Sequence, residues 1–150
     1  MDSKDRQILD LLQRDATLQV AAIAEQVGLS RTPCWRRIRE LEKNGYIQKR
    51  VALLDRNKLE LPITVFVAVK TNEHNATWLE RFRHAVNELP EIVEAYRLSG
   101  DTDYLLRIIV KDIEGFDAAY QRLIEMVDFS DVSSSFSMEE MKFTTAIPLF

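Results

Sequence analysis

Seven of the twenty residues from Arg31 to Arg50 are Lys or Arg, opposed only by Glu40 and Glu42, in a chain whose total charge is −4. A basic segment on an acidic body suits a local anion-binding surface beside a region with another task. Placed on a helix at about 100° per residue, Cys34, Ile38 and Leu41 share one side. Thr32, Arg36, Arg39 and Lys43 fall opposite, with Trp35 on the flank. A helix that packs on one side and carries bases on the other can enter a DNA major groove about 12 Å wide. Residues near its N-terminus then reach base edges, and later ones reach phosphates. Arg31, Thr32, Trp35 and Arg36 are the candidate base readers; Arg39 and Lys43 are the candidate phosphate contacts. A solvated charged face has the same composition, so the elements before this helix must decide between the two.

A second group with chemical potential is Leu98-Ser99-Gly100-Asp101-Thr102-Asp103-Tyr104, two carboxylates in a turn between apolar runs. By residue type alone this is a solvated hairpin turn, because Gly and Asp are turn residues. The alternative is a site where a carboxylate pairs with a ligand ammonium group while loop amides bind a ligand carboxylate. No catalytic, cofactor or metal set competes with these two groups. Gly28, Gly45, Gly100 and Gly115 are too far apart for a phosphate loop, and His74 and His84 lack clustered carboxylates. Ser133-Ser134-Ser135 has no nucleophile elbow around it. Cys34, the single cysteine, excludes an internal disulfide and falls on an apolar face, so a packed structural thiol is expected.

The elements that must position these groups are legible as two patterns. Residues 1–50 read as three helices. Asp2 or Ser3 caps the first, which carries an Ile8, Leu11, Leu12 stripe and breaks at Asp15–Thr17. The second runs from about Gln19 to Val27. Gly28-Leu29-Ser30 makes a tight turn in which Gly28 supplies a positive φ and Ser30 caps the next helix. The third runs from Arg31 to about Asn44, with Pro33 tolerated in its first turn and Gly45 as a left-handed stop. Helix, tight turn and basic helix together decide for helix-turn-helix DNA binding.

Beyond it, Val51–Leu54 reads as a short strand and Asp55–Pro62 as a polar, irregular linker. Ile63, Val65, Val67 and Val69 then alternate as a strand. Leu79, Phe82, Val86 and Leu89 mark a helix stopped by Pro90. Ile92–Leu98 and Tyr104–Val110 are strands about the acidic turn. Phe116, Ala119, Tyr120, Leu123 and Val127 mark another helix, and Val132, Ser134 and Phe136 alternate with Ser133, Ser135 and Ser137. The order β-α-β-β-α-β is that of a ferredoxin-like domain. The expected architecture is therefore α+β: a helix-turn-helix over 1–50, a linker over 51–62 and a ferredoxin-like domain over 63–150. Phe66 and Ala68 lie off the core face of their strand and offer an apolar pairing surface. The longest near-apolar run, Leu61–Val69, is nine residues, against roughly 20 for a membrane span. No apolar leader follows Met1, so a cytoplasmic protein without a membrane partner is expected.

Five segments in this order resemble the Lrp/AsnC, or feast/famine, transcriptional regulators: Asp5–Leu9, Val27–Cys34, Arg39–Ile47, Ser99–Leu106 and Met138–Glu140. Thr32–Trp35, Val51–Asp55 and Ser134–Phe136 look closest to the branch that senses cysteine. The resemblance implies a winged-type helix-turn-helix joined to an effector domain through which chains pair as homodimers, often assembling into octamers. It implies no cofactor, double-stranded operator DNA as partner, and a free amino acid as effector in a cleft between subunits. It assigns the cleft to Leu98, Gly100, Asp101, Thr102 and Asp103, with Ser135, Phe136 and Ser137 lining it, and Ser133, small and on the same strand, is expected beside them. Small serines suit a small or sulfur-containing effector. An architectural protein that wraps DNA without an effector is the competing expectation.

Overall fold

Asp2, rather than Ser3, starts the first helix of the computed structural model, which describes residues 1–150. Its carboxylate accepts the Asp5 N–H at 3.0 Å while the Asp5 carboxylate accepts the Asp2 N–H at 2.9 Å. Two N–H groups that a helix start leaves orphaned are thus paired reciprocally. This helix, α1 (Ser3–Arg14), is followed by α2 (Val20–Val27) and α3 (Arg31–Lys43). Gly28 (φ +66°) and Gly45 (φ +76°) end α2 and α3 in the left-handed region. Each supports a double closure: Leu29 donates to Ala24 O at 2.9 Å after α2, and Tyr46 to Leu41 O at 3.0 Å after α3. Ser30 occupies the start of α3 with extended backbone, but its hydroxyl makes no capping bond, contrary to the sequence expectation. Ile8, Leu12, Ile23, Ala24, Val27, Cys34, Ile38 and Leu41 form the core of this helical unit.

The expected strand at Val51–Leu54 does not form. Val51, Leu53 and Leu54 are exposed and unpaired. Alternation can suggest a strand, but a strand exists only where another supplies its ladder bonds. Asp55–Leu61 is not a loose linker either. Leu61 N–H closes on Arg56 O at 2.8 Å, the Asp55 carboxylate takes the Asn57 N–H at 3.0 Å, and the Arg56 guanidinium holds Pro62 O at 3.0 Å.

The second unit contains β1 (Ile63–Lys70), α4 (Ala76–Glu88), β2 (Ile92–Arg97), β3 (Tyr104–Val110), α5 (Ile113–Met126) and β4 (Asp131–Phe136). Its antiparallel sheet has the order β2-β3-β1-β4, with Val67 opposite Leu106 on one side and Ser134 on the other. Val65, Val67, Val69, Tyr104, Leu106, Ile108 and Val110 form one face, covered by Trp78, Phe82, Ala85 and Leu89 of α4 and its end and by Leu123 and Val127 of α5 and its end. Trp78 also donates its indole N–H to Asp128 O at 2.8 Å. The opposite face carries Phe66, Ala68, Leu105 and Arg107.

The chain divides into Met1–Leu53 with Met141–Phe150, and Leu54–Glu140. This differs from the expected division at 50 and 63 in two places. Residues 55–62 belong with the sheet, where Arg56 donates to the Thr64 hydroxyl of β1 and Glu60 pairs with Lys111 at 3.8 Å. Residues 141–150 belong with the helices, because Gln13 and Arg6 bind their backbone. No helix is long and apolar enough to cross a membrane.

Candidate functional site

Helix α3 stands on the core through Cys34, Ile38 and Leu41, which rotates Arg31, Thr32, Trp35, Arg36, Arg39 and Lys43 into solvent. Trp35 keeps half of its surface exposed. Arg31, Arg36 and Lys43 form no ion pair, so their charge is available to an anion. Arg39 reaches Glu42 at 3.3 Å, and Arg50 reaches the same carboxylate at 3.0 Å. Arg37 points away from the open face and bridges Asp2 at 2.7 Å and Asp5 at 2.8 Å. The Asp2 carboxyl is held below its usual range by the Asp5 N–H and then by Arg37. Of the seven bases counted in the sequence, three are thus engaged within the unit. Arg37 was missed as a positioning residue: it ties the start of α1 to α3, and the only sequence signal was the Asp2–Asp5 cap spacing. Burial raises the Cys34 thiol, against a smaller opposing effect of Arg37. A thiol held protonated in an apolar core is structural.

Lys43 sits in the last turn of α3, unpaired and exposed. Replacing Lys43 by Ala is expected to weaken operator and random DNA alike and to reduce the slope of log K against log salt by about one unit. Fluorescence anisotropy across a salt series reads it. An unchanged slope takes Lys43 off the phosphate path.

The acidic turn joins β2 to β3. Leu98 N–H donates to Asp103 O at 2.8 Å and Asp103 N–H to Val69 O at 3.1 Å. One Asp103 carboxylate oxygen accepts the Thr71 N–H at 2.9 Å, so Asp103 anchors the turn to the end of β1 while its second oxygen stays available. Thr71, 5 % exposed, was not legible as part of this arrangement, because only pairing of β1 with β3 brings it to Asp103. Gly100 has φ +127° and open space where a side chain would begin. The backbone angle therefore favours glycine here, and the open space leaves this backbone accessible.

The residues expected to share one cleft are gathered only in part in one chain. Leu98, Gly100, Asp101, Thr102 and Asp103 lie together at the Val69 end of β1. Ser133 pairs with Ala68 on the open face, next to that end, whereas Ser135 pairs with Phe66 and Ser137 N–H reaches Thr64 O at 2.9 Å. Thr64 and Val69 are five residues apart, about 17 Å along a strand. Phe136 pairs with Val65, on the opposite face from those serines, and packs edge-on against Phe116 at 5.2 Å.

Two family descriptions match the chain: "Winged helix-turn-helix DNA-binding" over residues 1–48 and "Lrp/AsnC ligand binding domain" over residues 64–147. The Glutamate uptake regulatory protein of Zymomonas mobilis is 51% identical over 149 residues, covering 99% of this chain and 91% of the relative. The crystal structure of an AsnC family transcriptional regulator from Agrobacterium tumefaciens superposes with a TM-score of 0.95 at 54% identity, covering 99% and 97% of the two chains. The transcriptional regulator NMB0573 from Neisseria meningitidis, solved as an L-Met complex, superposes with a TM-score of 0.94 at 32% identity, covering 99% and 96%.

Proposed function

Since this chain belongs to the Lrp/AsnC family of transcriptional regulators, we propose that it reads a specific operator with α3 and that a free amino acid, bound between subunits, modulates that binding. One observation supports the first half above all: an exposed helix face with Arg31, Arg36 and Lys43 unpaired, on a chain of net charge −4. Arg31, Thr32, Trp35 and Arg36 read bases, and Arg39 and Lys43 meet phosphate. A homodimer presents α3 twice, so the operator is a pseudo-palindrome with half-sites about 34–36 Å apart. The open sheet face, with Phe66 at 40 % exposure, is the pairing surface, and dimers assemble further, up to an octamer.

The second half is supported by the placement of the candidate effector residues along β1. Ser133 lies beside the end of β1 that holds the half-committed carboxylate, whereas Ser137 lies about 17 Å further along the strand, so a cleft lined by both Asp103 and Ser137 draws on more than one copy. The L-Met complex of the Neisseria relative favours a small or sulfur-containing amino acid, cysteine and methionine first, and regulation of amino-acid metabolism.

Asp103→Asn tests the ammonium contact, because asparagine keeps an acceptor for the Thr71 N–H and replaces the second oxygen by an uncharged NH2 that cannot accept from an ammonium group. Losing a hydrogen bond to a charged partner, roughly 1.5–3 kcal/mol, lowers amino-acid affinity about 10- to 100-fold. Calorimetric titration of the twenty amino acids into wild type and variant reads it. Equal affinity at equal melting temperature moves the contact away from Asp103. Failure of every amino acid to bind or to alter a footprint favours the DNA-wrapping alternative.

A further inference from the structure

Gln13 lies near the end of α1 and uses both ends of its side-chain amide on one residue 134 positions away. Its Nε2 donates to Ile147 O at 3.1 Å, and its Oε1 accepts the Ile147 N–H at 2.9 Å. A primary amide held this way replaces the neighbouring strand that an extended backbone would otherwise need. The Asp10 carboxylate takes the same Nε2 at 3.0 Å and is itself paired with Arg14 at 3.0 Å, which orients the clamp. Arg6, two turns earlier on α1, donates to Phe150 O. Leu149 is half-buried beside Leu11 and Val27.

The other end of this segment is fixed as well. Ser137 N–H is held by Thr64 O at 2.9 Å, and Glu140 pairs with Arg56 at 3.7 Å. Between these anchors Met141 and Phe143 are exposed, Met141 almost fully, and residues 141–146 make no hydrogen bond outside the segment. The seven steps from Glu140 to Ile147 can extend to about 25 Å at most. The chain thus leaves the helical unit once, near Leu53, and returns to it once, after Glu140. A unit on one tether reorients freely; closing a second, length-limited tether removes part of that freedom before DNA is met.

We propose that Gln13 is a positioning residue: by latching Ile147 it makes residues 137–150 a strap that pre-orients the helical unit for operator binding and carries the effect of an amino acid bound beside β4 to α3. The second clause rests on the effector reading above; the first does not.

The experiment compares full-length wild type, Gln13→Ala and a chain lacking residues 147–150. Backbone hydrogen exchange follows residues 145–150, and anisotropy follows operator and random DNA with and without millimolar L-methionine. Gln13 is half-buried but no part of the helical core, so circular dichroism melts should stay close to wild type. Residues 145–150 are expected to be protected in wild type and to exchange at least about tenfold faster in Gln13→Ala. Operator affinity is expected to fall about five- to tenfold in both variants, random-DNA affinity less than twofold, and the operator response to L-methionine to fall below twofold. Unprotected residues 145–150 in wild type, or operator affinity within twofold of wild type in a variant whose strap is released, overturn the proposal. A full methionine response in that variant overturns its second clause. If wild type does not respond to methionine but Gln13→Ala loses operator affinity, the second clause falls with the methionine effector, and the latch stands as a positioning element.

Discussion

Replacing Ile8 by alanine should melt the helical unit while the sheet unit stays folded. Ile8 is fully buried at the centre of the α1–α2–α3 core, and truncating a core isoleucine costs about 2–5 kcal/mol through lost burial and the cavity left behind. A unit of this size holds only a few kcal/mol of net stability. The core around Val65, Leu106 and Leu123 shares no residue with it. Calorimetry is expected to show a low-temperature transition split from a nearly unchanged upper one. Operator binding should be lost near room temperature and amino-acid affinity retained. A single transition that moves as a whole would show that the two cores unfold as one cooperative body, against the separation drawn here.

The second large effect is expected at Arg36. Its guanidinium is exposed, carries no ion pair and lies one turn into α3, whereas its neighbour Arg37 is committed to Asp2 and Asp5. A bidentate contact to a guanine edge discriminates by about 1–3 kcal/mol, so Arg36→Ala should lower operator affinity about 5- to 150-fold. Random DNA, bound through phosphates, should lose far less. Competition titrations at one fixed salt concentration give the specificity ratio. Equal losses on both DNAs would reassign Arg36 to the backbone.

The contrast between Arg36 and Arg37 shows where reading by periodicity stops. The wheel placed Cys34, Ile38 and Leu41 inside and the basic side outside, because both follow from 100° steps and the need to bury apolar area. It could not say which bases remain free, since Asp2 and Arg37 meet only after α1 folds over α3. The acidic turn behaves similarly. Its location between two strands was legible from Gly and Asp among apolar runs. That Asp103 spends one oxygen on Thr71 was not, because the two are 32 residues apart and meet through strand pairing.

What the sequence determined by itself is therefore what local geometry and burial determine. The three helices, the glycine stops of the second and third, the β-α-β-β-α-β order, the buried side of each element and the basic side of α3 are all readable from period and residue type without a fold. What only the tertiary structure decided is which groups become partners. Val51–Leu54 has a strand's residues but finds no ladder. Residues 141–150, expected to stay with the sheet, join the helices, where Gln13 holds Ile147 and Arg6 holds Phe150. Phe136 and the serines beside it face opposite ways, and the serine row runs along β1 away from the end that holds Asp103. Pairing depends on where chain segments meet after collapse, and neither composition nor period encodes that meeting.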